Sequence, residues 1–544
     1  MKQIIEERIQ NALKKAFDIT VDNIIVEVPK DPTNGDFSSN VAMQLAKTLR
    51  KAPFMIAEDI VKAINEDHYF KAVSVAKPGF INFYVDKSLY FDVINEILTD
   101  GADYGNLTLG EGEHYNIEYV SANPTGTMHI GHARGAAAGD SLSRILKKAG
   151  FKVTREFYVN DGGNQIHNLA LSIHARYQNL FDKDAKMPED GYFGKEIIKL
   201  AESIKAKHGD EFLDHEESYQ FFKDYGVNYL LEALKHDLKQ FRVEFDVYFS
   251  EASLYANHEV TRTLEHLKAH DFTYEKDDAT WLKTSDYGDE KDRVIIKSDG
   301  SYTYLTPDIA YHHNKLSRGF TKLIDILGGD HHGYVPRLKA AIRMVGGRDD
   351  LLEVDLLQMV KVIQNGEEVK MSKRSGKALS LVDLIEEVGA DPIRYFFAMR
   401  SLNTQMDLDL DLALKQSNEN PVYYAQYAHA RITSLLDTAK NKGFELDETF
   451  NEFETLNTEK AESLASVLRE YPEVIEEAAS KRLMHKIPQY IHKLASHLHS
   501  FYSDQQIITE DARYVKERLA LLTAVKIVLK DALSLVGVEA KEKM

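Results

Sequence analysis

IEYVSANPTGTMHIGHARGAAAGD, residues 117–140, decides how the chain is read. It opens inside an apolar run, HYNIEYV, that reads as a buried strand ending near Asn123-Pro124. A Gly/Thr loop follows, and then a helix from about Gly131 to Lys148. FKVTREFYVNDGG, from Phe151, reads as a second strand. Strand, loop, helix and strand make a βαβ unit. That unit predicts a parallel sheet whose site lies beyond the C-terminal strand ends.

His129 and His132 stand three apart in the first helical turn and so share a face. A helix N-terminus has free N–H groups and partial positive charge, which suit an anion. Two imidazoles there add donors for charge developing on a phosphate. Gly131 leaves room for a flat ring to approach the backbone. Ala133, Gly135, Ala136, Ala137, Ala138 and Gly139 allow the helix to lie close to a sheet. The spacing points to a nucleotide phosphate; a surface histidine pair without a ligand has the same spacing.

A second stretch, VKMSKRSGKALS (369–380), follows the strand-like run LLQMVKVIQ (356–364) and carries Lys370, Lys373, Arg374 and Lys377. Such a loop can close over polyphosphate and stabilise transition-state charge, or it can be a solvated basic loop. GGDHHGYVPRLKAA (328–341) also follows a strand-like run. Gly328 and Gly329 permit backbone approach there, and Asp330 could bond a ribose hydroxyl. The adjacent histidines 312–313 and 331–332 diverge on either a strand or a helix, so no metal site is expected.

The rest of the chain sets the frame. At 544 residues it has room for about three or four domains. Hydrophobic residues at 43% and charged ones at 28% suit large soluble cores. The net charge of -19 excludes a bulk basic field, although local basic stripes can still bind RNA. Cysteine is absent, which excludes disulfides and thiolate metal sites and fits a reducing compartment. No run approaches the ~18 apolar residues of a membrane span, and MKQIIEERIQNALKKAF lacks the apolar centre of a signal peptide. A soluble cytoplasmic protein is expected. Residues 1–108 read as a separate α/β unit and 109–415 as the central α/β domain. A helical insertion is expected over about 165–270, and residues 416–544 read as all helical. ATWLKT, DRVIIKS, YTYLT and LIDILGGD read as strands of the central domain.

Two stretches could meet nucleic acid. Phe80 and Asn82 share one face of a strand, a ring to stack a base and an amide to read its edge, unless Phe80 belongs to the core. Tyr423, Tyr424, Tyr427, His429 and Arg431 suit splayed bases, or form a buried aromatic helix face.

HIGH at 129–132 and KMSKR at 370–374, in that order, form the paired motif of class I aminoacyl-tRNA synthetases. Among these the chain resembles the arginyl-tRNA synthetases. YTYLTPDIAYH (302–312), DPIRYFFAMRS (391–401), NPVYYAQYAHARI (420–432) and the ending ALSLVGVEAKEKM match that family too. The resemblance runs from about residue 30 to the last. It implies a multidomain α/β protein. Its parts would be a Rossmann-like parallel-sheet catalytic domain with helical insertions, an N-terminal α/β domain for the tRNA D-loop, and a C-terminal all-α anticodon-binding domain. It implies ATP-dependent ligation of L-arginine to tRNA(Arg) through an arginyl-adenylate, by a monomer, with Mg²⁺ accompanying ATP and no tightly bound cofactor. Family members are known for activating arginine only with tRNA present.

The resemblance also implies roles. His129, His132, Lys370 and Lys373 would be catalytic. ATP would lie on Ala122, Asn123, Pro124, Thr125, Gly126, Thr127, Met128, Ile130, Gly131, Gly329, Asp330, Met371 and Ser372. Arginine would meet Glu118, Ser121, Asn123, Glu251, Tyr304 and Asp308, because carboxylates match a guanidinium bidentately. Asp308 could instead cap the helix DIAYHHNKL, and Glu251 could be solvent-exposed. Phe80, Asn82, Tyr423, Tyr427 and Arg431 would meet tRNA. Two departures stand out: TNGDFSSN lacks the histidine that many relatives have before Gly-Asp, and Pro307 stands where arginine is common, which suggests a bacterial subgroup. Another HIGH-type nucleotidyl transferase, a silent RNA-binding relative and a lysine-specific synthetase are the competing readings.

Overall fold

The computed structural model describes every residue except 1, 22, 65–68, 86–90, 214, 216, 217, 370–378, 447–449, 451 and 504. By their contacts the described residues form two units. One comprises Met1–Gly101, Ala439–Arg469 and Ser500–Ala524; the other comprises Ala102–Thr438, Glu470–His499 and Val525–Met544.

In the first unit, helix α1 (Lys2–Phe17) precedes strands β1 (Val26–Glu27) and β2 (Phe37–Ser39). Helices α2 (Val41–Leu49) and α3 (Pro53–Ile64), strands β3 (Phe70–Ala76) and β4 (Phe80–Val85), and helix α4 (Asp92–Asp100) follow. The strands pair antiparallel in the order β1-β2-β4-β3. Apolar residues at helical spacing on α1 and α3, including Ile5, Ile9, Ile56 and Ile60, pack on Ile81 and Phe83 of the sheet.

The second unit is built on β5 (His114–Glu118), α5 (Ile130–Lys148) and β6 (Lys152–Val159), the βαβ unit expected from the sequence. Helices α6 (Gly163–Asn179), α7 (Lys195–His208) and α8 (Ser218–Gln240) follow and share their own apolar core, with Ile173, Tyr177, Leu200 and Phe222. Next come β7 (Val247–Ser250), α9 (Glu251–Ala256), α10 (Glu259–Ala269), β8 (Thr273–Lys276), β9 (Ala279–Leu282) and β10 (Arg293–Ile296). Then come α11 (Leu305–Ser317), β11 (Lys322–Gly328), α12 (Val335–Gly346), β12 (Leu352–Leu357), β13 (Val360–Gln364) and β14 (Glu367–Glu368). Helices α13 (Leu381–Val388) and α14 (Ala390–Ala398), strand β15 (Met406–Asp409) and helix α15 (Leu410–Leu414) complete the sequence up to the C-terminal helices. Those are α16 (Pro421–Asn441), α17 (Glu459–Arg469), α18 (Tyr471–Ser480), α19 (Lys486–Ser503) and α20 (Ala512–Leu535). The contact pattern divides them between the two units.

A five-stranded, all-parallel sheet, ordered β12-β11-β5-β6-β7, is the centre of this unit, a Rossmann-like arrangement. Helix α5 lies close on it because Gly139 has no side chain. A Cβ there would stand 2.1 Å from the Tyr119 ring.

Three readings of the sequence change. The 165–270 span contains β7, which pairs with β6 at the edge of the main sheet. YTYLT is not a strand. Its Tyr302 makes one bridge to Ile296, and Leu305 already begins α11, where the Thr306 hydroxyl donates to the Ile295 carbonyl at 2.6 Å. LLQMVKVIQ is two strands in two sheets, since β12 joins the parallel sheet and β13 pairs with β14 and β15. The break falls at Gln358. Its N–H donates to the Leu402 carbonyl at 2.9 Å, and its carbonyl accepts from the buried Arg134 guanidinium of α5 at 2.7 Å.

Candidate active site

His129 is the N-cap of α5 and His132 its third residue. His129 Nδ1 accepts the Gly131 N–H at 3.0 Å, and His132 Nδ1 faces the His129 N–H at 3.4 Å, a capping box made of imidazoles. The rings stack with centroids 3.7 Å apart. Gly131 matters to this arrangement, because a Cβ there would lie 2.9 Å from His129 Cε1. Burial holds the His129 imidazole below its ordinary range. Burial, with His129 beside it, takes His132 down to about 4. Both rings are therefore neutral near pH 7. Each uses Nδ1 as an acceptor, so each proton sits on Nε2. The helix N-terminus thus presents two N–H donors.

The loop entering α5 leaves β5 through a strained turn. Val120 and Ser121 sit at φ +69° and +41°, a left-handed conformation costly for a β-branched residue. Side chains hold it there: Ser121 Oγ donates to Glu118 Oε1 at 3.0 Å and accepts the Tyr158 N–H at 3.1 Å. Along the loop Ala122, Pro124 and Met128 are buried, Asn123 and Thr127 are exposed, and Thr125 and Gly126 are partly buried. Asn123 donates to Gln165 Oε1 at 2.8 Å. The Met128 carbonyl accepts the Leu381 N–H at 2.8 Å, and His129 bridges to Ser380. This contact brings the residues just after the basic stretch to the two histidines. Lys370, Met371, Ser372 and Lys373 themselves lie outside the described residues. Strand β11 runs parallel to β5, so Gly328, Gly329 and Asp330 leave the sheet at the same edge.

Three carboxylates converge beside this edge. Asp308 lies in the first turn of α11; Tyr304, not Asp308, is the N-cap, so the capping alternative fails. Burial pushes the Asp308 carboxyl up to about 6, against the Tyr334 hydroxyl bonded to it and nearby His312; Glu118 and Glu251 raise it further. Glu251, at the start of α9, is also raised by burial, against the Tyr158 hydroxyl bonded to it, and Asp161 nearby raises it further. Asp161 fixes that helix start, accepting the Ser250 hydroxyl and the Ala252 N–H at 2.9 Å. Glu251 is partly buried rather than free in solvent. The Tyr304 ring is 90% exposed and lines a cavity of about 440 Å³ with Arg293, Thr303, Tyr334 and Arg337.

Behind these carboxylates runs a feature the sequence did not reveal. Asp325, Glu118 and Glu156 are opposite one another on β11, β5 and β6, so three buried carboxylates form a row across the sheet. Helix α11 and its C-cap residue Arg318 supply their partners. Lys315 Nζ reaches Glu118 Oε2 at 2.6 Å and Asp325 Oδ1 at 3.2 Å. Arg318 grips Glu156 with two bonds of 2.8 Å, and Tyr311 donates to Glu156 at 2.9 Å. Burial works against the Lys315 ammonium, yet Asp325 and Glu118 push it up to about 12. Acidic residues at strand positions flanked by apolar ones, in NIEYV, TREFYV and LIDILGG, were the available signal.

The RNA candidates separate. Phe80 is 38% exposed at the start of β4, which removes the core alternative; Asn82 is buried and accepts the Ser38 hydroxyl at 2.8 Å. Asn82 is flanked on both sides by strands, whereas Phe80 stands at the strand end. The Tyr423 and Tyr427 rings are parallel within 6° at 6.1 Å, and Tyr427 stacks on His499. Arg431 is exposed, while His429 is buried against the Lys541 carbonyl at 2.8 Å. Among the described residues no group of three or more His, Cys, Asp or Glu is placed to hold a metal ion.

Comparison with known proteins gives three family matches in chain order. Residues 3–85 match the arginyl tRNA synthetase N terminal domain, 93–435 the class I (R) tRNA synthetase catalytic domain, and 425–544 the DALR anticodon binding domain. An arginine–tRNA ligase of Anoxybacillus flavithermus is 52% identical over 553 residues, covering 100% of this chain and 99% of that one. A solved chain from Campylobacter jejuni is 38% identical with a TM-score of 0.77, covering 85% of this chain and 100% of that one. The Thermus thermophilus arginyl-tRNA synthetase, 21% identical, shares the fold at a TM-score of 0.77 over 100% of both chains.

Proposed function

The chain belongs to the arginyl-tRNA synthetases of class I and ligates arginine to tRNA with ATP through an arginyl-adenylate, and on that premise we propose how its residues divide the work. In the first step the arginine carboxylate attacks the α-phosphorus of ATP and pyrophosphate leaves. In the second, the terminal ribose hydroxyl of tRNA attacks the adenylate carbonyl and AMP leaves. The first nucleophile is already anionic, so positioning and charge stabilisation supply the catalysis rather than a general base. ATP enters as its Mg²⁺ complex, a substrate rather than a resident cofactor.

His129 and His132 donate their Nε2–H groups to the α-phosphate as it becomes pentacoordinate. The residues 122–128 and Gly131 hold the nucleotide, and Gly329 and Asp330 its ribose. Lys370 and Lys373, with Met371 and Ser372, hold the leaving pyrophosphate. Asp308 and Glu251 take the guanidinium, with Tyr304 closing over it from the neighbouring cavity. Asn123 holds the substrate's backbone end, and Ser121, its hydroxyl already engaged by Glu118 and the Tyr158 N–H, shapes the loop there. Glu118 shapes the pocket, since its carboxylate is already taken by Lys315 and Ser121. Phe80, Tyr423, Tyr427 and Arg431 contact tRNA, and Asn82 supports the Phe80 strand. A cytoplasmic monomer is our reading of its working form.

One observation carries the reading: Asp308 and Glu251 gather around Glu118 at the end of β5, the strand whose loop leads into a helix N-terminus that presents two neutral imidazole donors. ATP–pyrophosphate exchange with arginine or lysine, each with and without tRNA, tests it. Arginine-dependent exchange that needs tRNA is expected. Exchange with lysine, or none at all, would overturn it.

A further inference from the structure

His312 is buried at 3% exposure, one turn beyond Asp308 on α11. Both of its ring nitrogens are engaged. Nδ1 lies 2.7 Å from the Asp308 main-chain oxygen, and Nε2 lies 2.8 Å from Asp325 Oδ2. A carbonyl oxygen can only accept, and so can an ionised carboxylate. Asp325 is ionised: burial opposes its charge, but Lys315 and His312 outweigh burial and hold its carboxyl well below the usual range. Two acceptors require two donors, and an imidazole with two donors is an imidazolium.

That cation faces a crowded acidic cluster. Around Asp308 stand Glu118 from β5, Glu251 from α9 and the Tyr334 hydroxyl, with the Tyr158 and Tyr255 hydroxyls close to the same carboxylates. Around His312 stand Asp325 from β11, Lys315 from its own helix and Glu118. Lys315 is engaged by Glu118 and Asp325, and the positive charge acting on Asp308 comes from His312.

We propose that His312 is a positioning residue for arginine recognition, a buried imidazolium that holds the first turn of α11 and keeps the Asp308 carboxylate ionised to receive the guanidinium. This rests on the assignment of Asp308 to the arginine pocket. The same geometry explains why the ring is unsuited to a metal: neither nitrogen has a lone pair to give.

The test uses the full-length protein labelled with ¹⁵N-histidine, the His312 signals being assigned by their loss in His312→Asn and His312→Gln. Both ring nitrogens are expected in the protonated class from pH 7 to 8.5. A single unprotonated nitrogen would overturn the proposal. Arginine KM is then measured by aminoacylation from pH 6 to 8.5 for wild type, both His312 variants and Asp308→Asn. Loss of the cation moves the acid limb of arginine binding upward. A one-unit move corresponds to about a tenfold rise in arginine KM on the acid side. That rise should fade by pH 8.5, with ATP KM and kcat much less changed. A rise equal at every pH would mark a packing role alone and overturn the proposal. An unchanged arginine KM in Asp308→Asn would overturn the arginine pocket itself, and with it the purpose given to His312, while the two-proton ring would stand.

Discussion

Replacing Gly131 by alanine separates stability from catalysis at the α5 N-terminus. The new Cβ would sit 2.9 Å from His129 Cε1 and 3.1 Å from Nδ1, so the ring must swing away. Its bond to the Gly131 N–H is then lost. Losing a side-chain cap costs about 1 kcal/mol. Alanine in place of glycine inside a helix returns roughly 0.5–1 kcal/mol. The two nearly cancel, so the unfolding midpoint should move little. On the proposed assignment of His129 to the α-phosphate, the displaced ring no longer aims its Nε2–H there. Removing one preorganised donor of this kind costs about 10²–10³ in rate. Arginine-dependent pyrophosphate exchange, with tRNA present, should fall by that order while tRNA binding holds. Exchange at the wild-type rate would show that the ring's position is irrelevant to catalysis. A collapse of the unfolding midpoint would show that the cap, not the donor, is what Gly131 protects.

Other outcomes follow from the same geometry. Asp308→Asn should raise arginine KM while leaving ATP KM near wild type, which steady-state aminoacylation will show. In the wild-type enzyme arginine KM should climb as pH falls through about 6, because the carboxyl held at about 6 takes up a proton and loses the guanidinium. The free protein moves the other way: a carboxyl raised above its unfolded value costs stability above that pH, and the cost disappears toward pH 4. Lys315→Met leaves Glu118 and Asp325 buried without their ammonium, a loss of about 3–5 kcal/mol. Urea unfolding followed through Trp281, the only tryptophan and a residue of β9, will register it. Phe80→Ala should weaken tRNA binding by about 1–3 kcal/mol, the worth of one stacked base, with no change in melting. Equal affinity for tRNA would remove Phe80 from the interface.

The central βαβ unit was legible because its signals are local: an apolar run, a Gly/Thr loop, then small residues at the spacing of a helix pressed on a sheet. Strand β7 was hidden because four partly buried residues at a sheet edge carry little apolar pattern and lie among Lys- and Glu-rich helices. LLQMVKVIQ looked continuous since both halves are apolar. What divides them is the Arg134 guanidinium, 224 residues away along the chain, binding the Gln358 carbonyl. At the candidate site, spacing and resemblance pointed to His129, His132 and Asp308. They did not point to Tyr158, Tyr334, His312 or Lys315. Their parts depend on which side chains tertiary packing brings together, helix α11 over the sheet and α12 beside α11, and a parallel register joins segments far apart in sequence.

The hydrogen bond from the Leu381 N–H to the Met128 carbonyl joins main chain to main chain. Alanine scanning, which exchanges side chains, would pass over it from either end. Chemistry that edits the backbone would not. Leu381 is the first residue of α13, after the Ser380 cap, a position where proline is welcome to a helix but has no N–H to give. A proline there, compared with alanine at the same residue, removes that amide hydrogen while the loss of the buried Leu381 side chain is common to both. The connection between Met128 and Leu381 is thus written in atoms every residue shares, and family resemblance in side chains cannot record it.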